Sequence, residues 1–228
     1  IAPIAVDLAG QALVQLAAQQ EGNHTTLVAV TQDNRVLLTS FERVATMLGE
    51  DGELTTTTRE VQRSAEPVTR VLLNPEQRRL YIADRSGRIT YVDVHDQSNP
   101  RVIHSLNVVE SGLQITSLEF LSGGISLLVG LSDGSIAQWF PVRDVHGNEL
   151  LTSIRTFKAR NAAINAIAPE YSRKGFIATD AAGYLGLYHS TAHRTLLVQP
   201  AATTPLRHIA IAPRANALLA EDSNGQIA

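Results

Sequence analysis

Residues 115–139 read Ile115-Thr-Ser-Leu-Glu-Phe120, a break at Gly123-Gly124, Ile125-Ser-Leu-Leu-Val129, the turn Ser132-Asp-Gly134, and Ser135-Ile-Ala-Gln-Trp139. Three short apolar runs are separated by two polar breaks that carry glycine. Runs of five or six residues are too short for independent helices and fit strands. The break at Gly134 has a physical reason. A tight hairpin needs positive φ at its tip, which glycine adopts at no steric cost and asparagine at little. An Asp or Ser just before it can bond the turn backbone. The stretch therefore predicts three consecutive antiparallel strands.

The same pattern recurs. One copy is Val68–Leu73, Leu80–Ala83, the turn Asp84-Arg-Ser-Gly87 and Ile89–Asp93. Another is Ile164–Ile167, Gly175–Ala178, the turn Asp180-Ala-Ala-Gly183 and Tyr184–Tyr188. A third is Leu206–Ile211, Ala217–Ala220, the turn Asp222-Ser-Asn-Gly225 and Gln226-Ile227. A weaker first copy is Ala12–Leu16, Leu27–Val30, Gln32-Asp-Asn34 and Val36–Leu38, with Asn34 in place of glycine. The turn residues at 34, 87, 134, 183 and 225 lie 53, 47, 49 and 42 residues apart. That matches the ~40–50 residues of a four-stranded propeller blade.

Each blade needs an outer strand, and Leu54–Val61, Arg101–Asn107, Leu150–Phe157 and Arg194–Val198 supply candidates. The β-branched polar tract Thr55–Thr58 suits a solvated outer strand. The second strands read as unbroken apolar runs, whereas the third strand Ile89–Asp93 is expected to alternate. Val6–Gln20 and Phe41–Leu48 are the helical alternatives, and Ile4–Leu8 could add a strand to a blade that the pattern leaves undefined. The expected fold is all-β: a β-propeller of four-stranded antiparallel blades, four full and part of a fifth. No linker divides the chain, so one domain over 1–228 is expected, with blades at about 10–62, 66–108, 113–158, 162–200 and 205–228. The missing methionine and the cut-off last blade read as a piece of a larger propeller.

Composition narrows function. The chain has 228 residues, 44% hydrophobic and 18% charged, with a net charge of −3. That charge gives no bulk cationic field for nucleic acid or anionic lipid. There is no cysteine, which removes disulfides, thiolate metal sites and cysteine nucleophiles, and fits an oxidising compartment. Lys158 and Lys174 are the only lysines; the other basic residues are arginines scattered along the chain, so no single anion site is expected and direct phosphate binding is not expected.

The polar clusters have plain structural readings. His189-Ser-Thr-Ala-His193 lies past a third strand, in a hairpin, and lacks the glutamate of a zinc-protease helix. Asp84, Asp133, Asp180 and Asp222 read as one turn device repeated at one position. Ser122-Gly-Gly-Ile-Ser126 lacks nucleophile-elbow spacing, and no Gly-rich phosphate loop is present. Trp139 reads as packing between blades, and the sequon Asn23-His-Thr25 carries no argument. No catalytic residue, no metal ligand and no cofactor is therefore assigned.

Three stretches carry a resemblance: Ala168-Pro-Glu-Tyr-Ser-Arg-Lys-Gly-Phe176, Asp180-Ala-Ala-Gly-Tyr-Leu-Gly-Leu-Tyr-His-Ser-Thr-Ala-His-Arg-Thr-Leu-Leu197, and Ile211-Ala-Pro-Arg-Ala-Asn-Ala-Leu-Leu219. They resemble the extended form of the phosphate ABC-transporter permease subunit of some Gram-negative bacteria, which has a large periplasmic propeller-like insert. The earlier part of the chain resembles it only in pattern. The resemblance implies a periplasmic domain of an inner-membrane protein, held to the membrane by parts of a longer chain. It implies a non-catalytic docking role, with the periplasmic phosphate-binding protein, transporter subunits or a signalling component as protein partners and no nucleic acid. No permease core is present, so the family's transport residues have no matching positions. A free-standing propeller scaffold in a protein-assembly complex is the alternative, and a propeller hydrolase with metal or carboxylates in its channel the third reading.

Overall fold

The computed structural model describes residues 5–8, 10–43, 54–171, 174–212 and 217–227. These are strands, turns and loops, with no helix among them. The chain forms two compact units, Ile1–Leu106 and Asn107–Ala228.

The first unit holds two four-stranded antiparallel sheets. One runs in the order β1 (Leu13–Glu21), β2 (His24–Thr31), β3 (Arg35–Arg43), β4 (Leu54–Arg63). The other runs β5 (Val68–Leu73), β6 (Arg79–Asp84), β7 (Arg88–Asp93), β8 (Arg101–Asn107). Their faces share one core of Val28, Val30, Leu38, Val68, Leu80, Ile82 and Val92. Each such side chain, fully buried, stabilises the fold by ~1.5–3 kcal/mol. Backbone is bound across the seam as well: Gln15 Nε2 donates to Val68 O at 3.2 Å and Gln19 Nε2 to Leu73 O at 3.2 Å.

The second unit repeats the plan. β9 (Ile115–Phe120), β10 (Leu127–Leu131), β11 (Ser135–Arg143) and β12 (Glu149–Lys158) form a third sheet. β13 (Ile164–Pro169), β14 (Gly175–Asp180), β15 (Tyr184–His189) and β16 (Arg194–Pro200) form a fourth. β17 (Leu206–Ile211) and β18 (Leu218–Asp222) pair as a fifth, where Ile227 adds a single bridge to Glu221. Ile136, Phe157, Ile164, Phe176 and Tyr188 make the core between the third and fourth sheets. Phe176 stacks on Tyr188 with centroids 4.9 Å apart, and Phe157 meets Phe176 edge-on at 5.2 Å.

The strands and turns fall near their expected places, with local differences. The second strand of the third sheet starts at Leu127, and Ile125, 54% exposed, belongs to the loop before it. The double glycine Gly123-Gly124, both at positive φ, delays the strand by two residues. β7 does not alternate between wet and dry faces: Ile89 to Val92 are all buried. Residues 5–8 lie outside any strand, and Ile4 lies outside the described residues. Val6–Gln20 is not helical, because Leu13–Glu21 is β1. Phe41–Arg43 ends β3, and residues 44–48 of that helical alternative lie outside the described residues.

Candidate functional site

The repeated turns hold Asp84, Asp133, Asp180 and Asp222. All five tips have positive φ: Asn34 (63°), Gly87 (82°), Gly134 (85°), Gly183 (80°) and Gly225 (77°). The aspartates, however, are two devices and not one. Asp84, Asp180 and Asp222 stand three residues before the glycine. In each, Oδ1 accepts from the backbone N–H groups two and four residues on, as in Asp180 with Ala182 and Tyr184, both at 2.9 Å. Asp133 and Asp33 stand one residue before the tip and reach the flanking strands. Asp133 Oδ1 accepts from Ser135 N and Oγ, and Oδ2 from Lys158 Nζ at 2.8 Å. Asp33 accepts from Thr31 Oγ1 and pairs with Arg35 (3.0 Å) and Arg63 (2.9 Å). Both put an acid shortly before a glycine or asparagine, and only the spacing to the tip differs.

These bonds tune the acids. Desolvation raises the Asp133 carboxyl, but the Lys158 and Ser135 hydrogen bonds outweigh it and bring its pKa down to about 2. The Thr31 hydroxyl, helped by Arg35 and Arg63, lowers Asp33. Thr204 and the Gln226 and Asn224 amides lower Asp222. All three stay ionised at neutral pH, which suits turn clamps and not proton carriers.

The histidine pair is likewise used by its hairpin. His189 Nδ1 lies 3.2 Å from Ala192 N, whose N–H it accepts. His193, at φ 51°, has Nε2 2.8 Å from Thr156 O and its ring edge-on to Phe157. Between them Ser190 is fully buried and donates to Gln138 Oε1 at 2.8 Å, while Gln138 Nε2 donates to Ser126 Oγ at 3.1 Å. Gln138, itself buried, thus bolts the fourth sheet's hairpin to the third sheet. Sequence reading missed it: a glutamine in an apolar strand next to tryptophan was the available signal. Trp139 is half-buried, with its indole nitrogen buried and without a hydrogen-bond partner among the described residues.

Arg160 stacks over the Tyr184 ring, 3.5 Å from its centroid, with Nε 3.3 Å from Asp180 Oδ2. The space beside this group is about 10 Å³, room for a water molecule at most. Among the described residues no group of three or more His, Asp or Glu is placed to hold a metal ion. Ser122 and Ser126 lie in the loop and strand approach before β10, with Ser126 bound to Gln138.

The far half of the β11–β12 ribbon is one of several outward-facing stretches. β10 pairs with β11 only as far as Leu127–Trp139, so Phe140–Arg143 pair with β12 alone. Phe140 and Val142 are exposed there, and Val145 at the tip is 96% exposed.

With this geometry in view, comparison with known proteins is informative about fold. The chain superposes on the WD40 β-propeller domain of Doa1 with a TM-score of 0.67 at 17% identity, over 96% of this chain and 64% of that one. These sheets are β-propeller blades. The β-propeller domain of Myceliophteria thermophila Cps50 (Swd1) gives 0.63 at 15% identity, over 88% of this chain and 64% of that one. The RRP9 WD40 repeats give 0.62 at 12% identity, over 73% and 48%. The chain therefore spans just under two thirds of the first two propellers. No protein-family model and no curated protein matches it.

Proposed function

We propose that this chain is a non-catalytic protein-interaction scaffold built from propeller blades. One observation carries the reading. The turn aspartates and the residues His189, Ser190 and His193 are tied into turns and a sheet seam, while the β11–β12 ribbon turns large apolar side chains to solvent. Function on such folds sits in loops and projections held by a rigid frame. The likeness to WD40 domains supports the frame, and a fold by itself leaves the partner open. The test is crosslinking in the native host followed by affinity capture of the full-length protein. The reading predicts a protein partner retained in stoichiometric amount; retention of none above an untagged control would overturn it.

The narrower reading places this scaffold in the periplasm, docking on a phosphate importer. It is favoured by the resemblance of residues 168–176, 180–197 and 211–219 to the extended permease subunit. Its test is capture of the periplasmic phosphate-binding protein with and without phosphate. If that protein is not retained in either state, and deleting the domain leaves phosphate uptake and signalling unchanged, the transporter role falls while the scaffold role stands.

A further inference from the structure

Each sheet opens its first strand on an apolar residue that pairs with the residue three before the turn tip. The pairs are Leu13 with Thr31, Val68 with Asp84, Ile115 with Leu131, Ile164 with Asp180 and Leu206 with Asp222. In every case the register shifts directly after that residue. Val68, Ile115, Ile164 and Leu206 are at most 6% exposed, whereas Leu13 is 48% exposed. Leu16 is 57% exposed, yet its counterpart on the second sheet, Val71, packs against the core shared with the first. Leu16, Ala29 and Leu37 are cross-strand neighbours on the face opposite Ala17, Val28 and Leu38. Ala29 and Leu37 are buried, so the open part of that face is β1 itself.

The seams within each unit show what covers such a residue. The first strand of one sheet lies along the first strand of the next: β1 along β5, β9 along β13, and β13 along β17. An amide side chain of the earlier strand holds the later one. Gln15 Nε2 donates to Val68 O at 3.2 Å, and Asn165 Nδ2 donates to Leu206 O at 2.8 Å. Both acceptors are the opening apolar residue of their strand. Leu13 occupies that same position on β1.

We propose that the exposed side of β1 is a blade seam. It receives the first strand of a further four-stranded sheet of the same polypeptide, outside residues 1–228, with an Asn or Gln that donates to the Leu13 carbonyl. Burial of Leu13 and Leu16 drives the contact, and the amide fixes its register. Two observations favour the same polypeptide as the source. The WD40 propellers on which this chain superposes continue beyond the part it spans. A second copy would bring its fifth sheet, whose two strands lack counterparts of Val36, Leu38 and Val61 in the first seam. The proposal goes beyond the scaffold reading and uses none of it.

Residues 1–228 hold no cysteine, so Leu13→Cys and Val145→Cys each place a single thiol there. Both variants of the full-length protein are labelled with a charged maleimide, and the sites are read by peptide mass mapping. Leu13→Cys should react at least about tenfold more slowly than Val145→Cys in native buffer. In denaturant the two should react alike. A photoreactive benzoylphenylalanine in place of Leu16, and separately of Gln20 on the same face of β1, then names the occupant. Crosslinks to a sheet outside residues 1–228 of the same polypeptide are expected. Equal labelling rates in native buffer would overturn the proposal. So would links only within residues 1–228, links to a second copy (told apart by mixing isotope-labelled protein), links to another protein, or no link from either position. Failure to capture a partner from the host would overturn the scaffold reading and leave this seam standing.

Discussion

The third sheet has two ends that look alike in sequence and do different work. Each tip is a glycine at positive φ, Gly134 at 85° and Gly147 at 82°, and each is braced by an aspartate Oδ1 that accepts backbone N–H bonds. At Gly134, a Cβ would stand 2.2 Å from Arg160 O and 2.8 Å from Ala162 O. At Gly147 it would meet nothing within 4 Å. The first tip is pressed against the loop that leads into the fourth sheet; the second stands in solvent with Val145 beside it. Two glycine-tipped turns therefore part in role: one serves packing and the other is left free for contact.

The strongest way to break this contrast is alanine at the two glycines. Gly134→Ala combines left-handed backbone strain with a clash against backbone oxygen and should cost ~3 kcal/mol or more in denaturant unfolding. Gly147→Ala bears the strain alone and should cost ~1–2 kcal/mol. Equal losses would mean that the packing of the first tip is not what distinguishes it. Gly183, with Ala202 O 2.3 Å from the position of its Cβ, should behave like Gly134.

A second substitution tests the seam between the ends. Gln138→Ala leaves the fully buried Ser190 hydroxyl without its acceptor and should cost ~1–3 kcal/mol. A loss no greater than that of an exposed residue would show that the bolt is dispensable.

Asp133→Asn sharpens the locked end by pH. The folded pKa of about 2 lies below the unfolded value, so the stability from this carboxylate is present above the unfolded pKa of ~3.9. It is lost as pH falls from about 4 towards 2. The variant should be somewhat less stable at neutral pH, with a shallower decline across that acid window. An unaltered pH profile would remove the Lys158–Asp133 contact from the account. The smallest effect belongs to the free end: Val145→Ser should change stability by less than ~0.5 kcal/mol.

Fold was legible in the sequence wherever two signals agreed. Val68–Leu73, Leu206–Ile211 and Arg101–Asn107 match β5, β17 and β8 end for end, because apolar runs were bounded by turn residues whose φ requirement is local. The start of β10 was misplaced, because Ile125 is apolar and nothing local says that the double glycine keeps it in the loop. The spacing to the tip, three residues for Asp84, Asp180 and Asp222 but one for Asp133 and Asp33, already marked two devices, whereas the partners Lys158 and Arg63 were hidden because neighbouring strands bring them. The uncovered half of the ribbon was invisible for the same reason. Phe140 and Val142 look like any strand pair until β10 is seen to stop short of them.

Amide hydrogen exchange on the full-length protein, alone and with the partner recovered by capture, tests the central claim most directly. A scaffold that docks through its free ribbon should gain protection at residues 140–152, while the turns at 131–135 and 180–184 are already protected and stay so. Protection gained at those turns, with the ribbon unchanged, would contradict it.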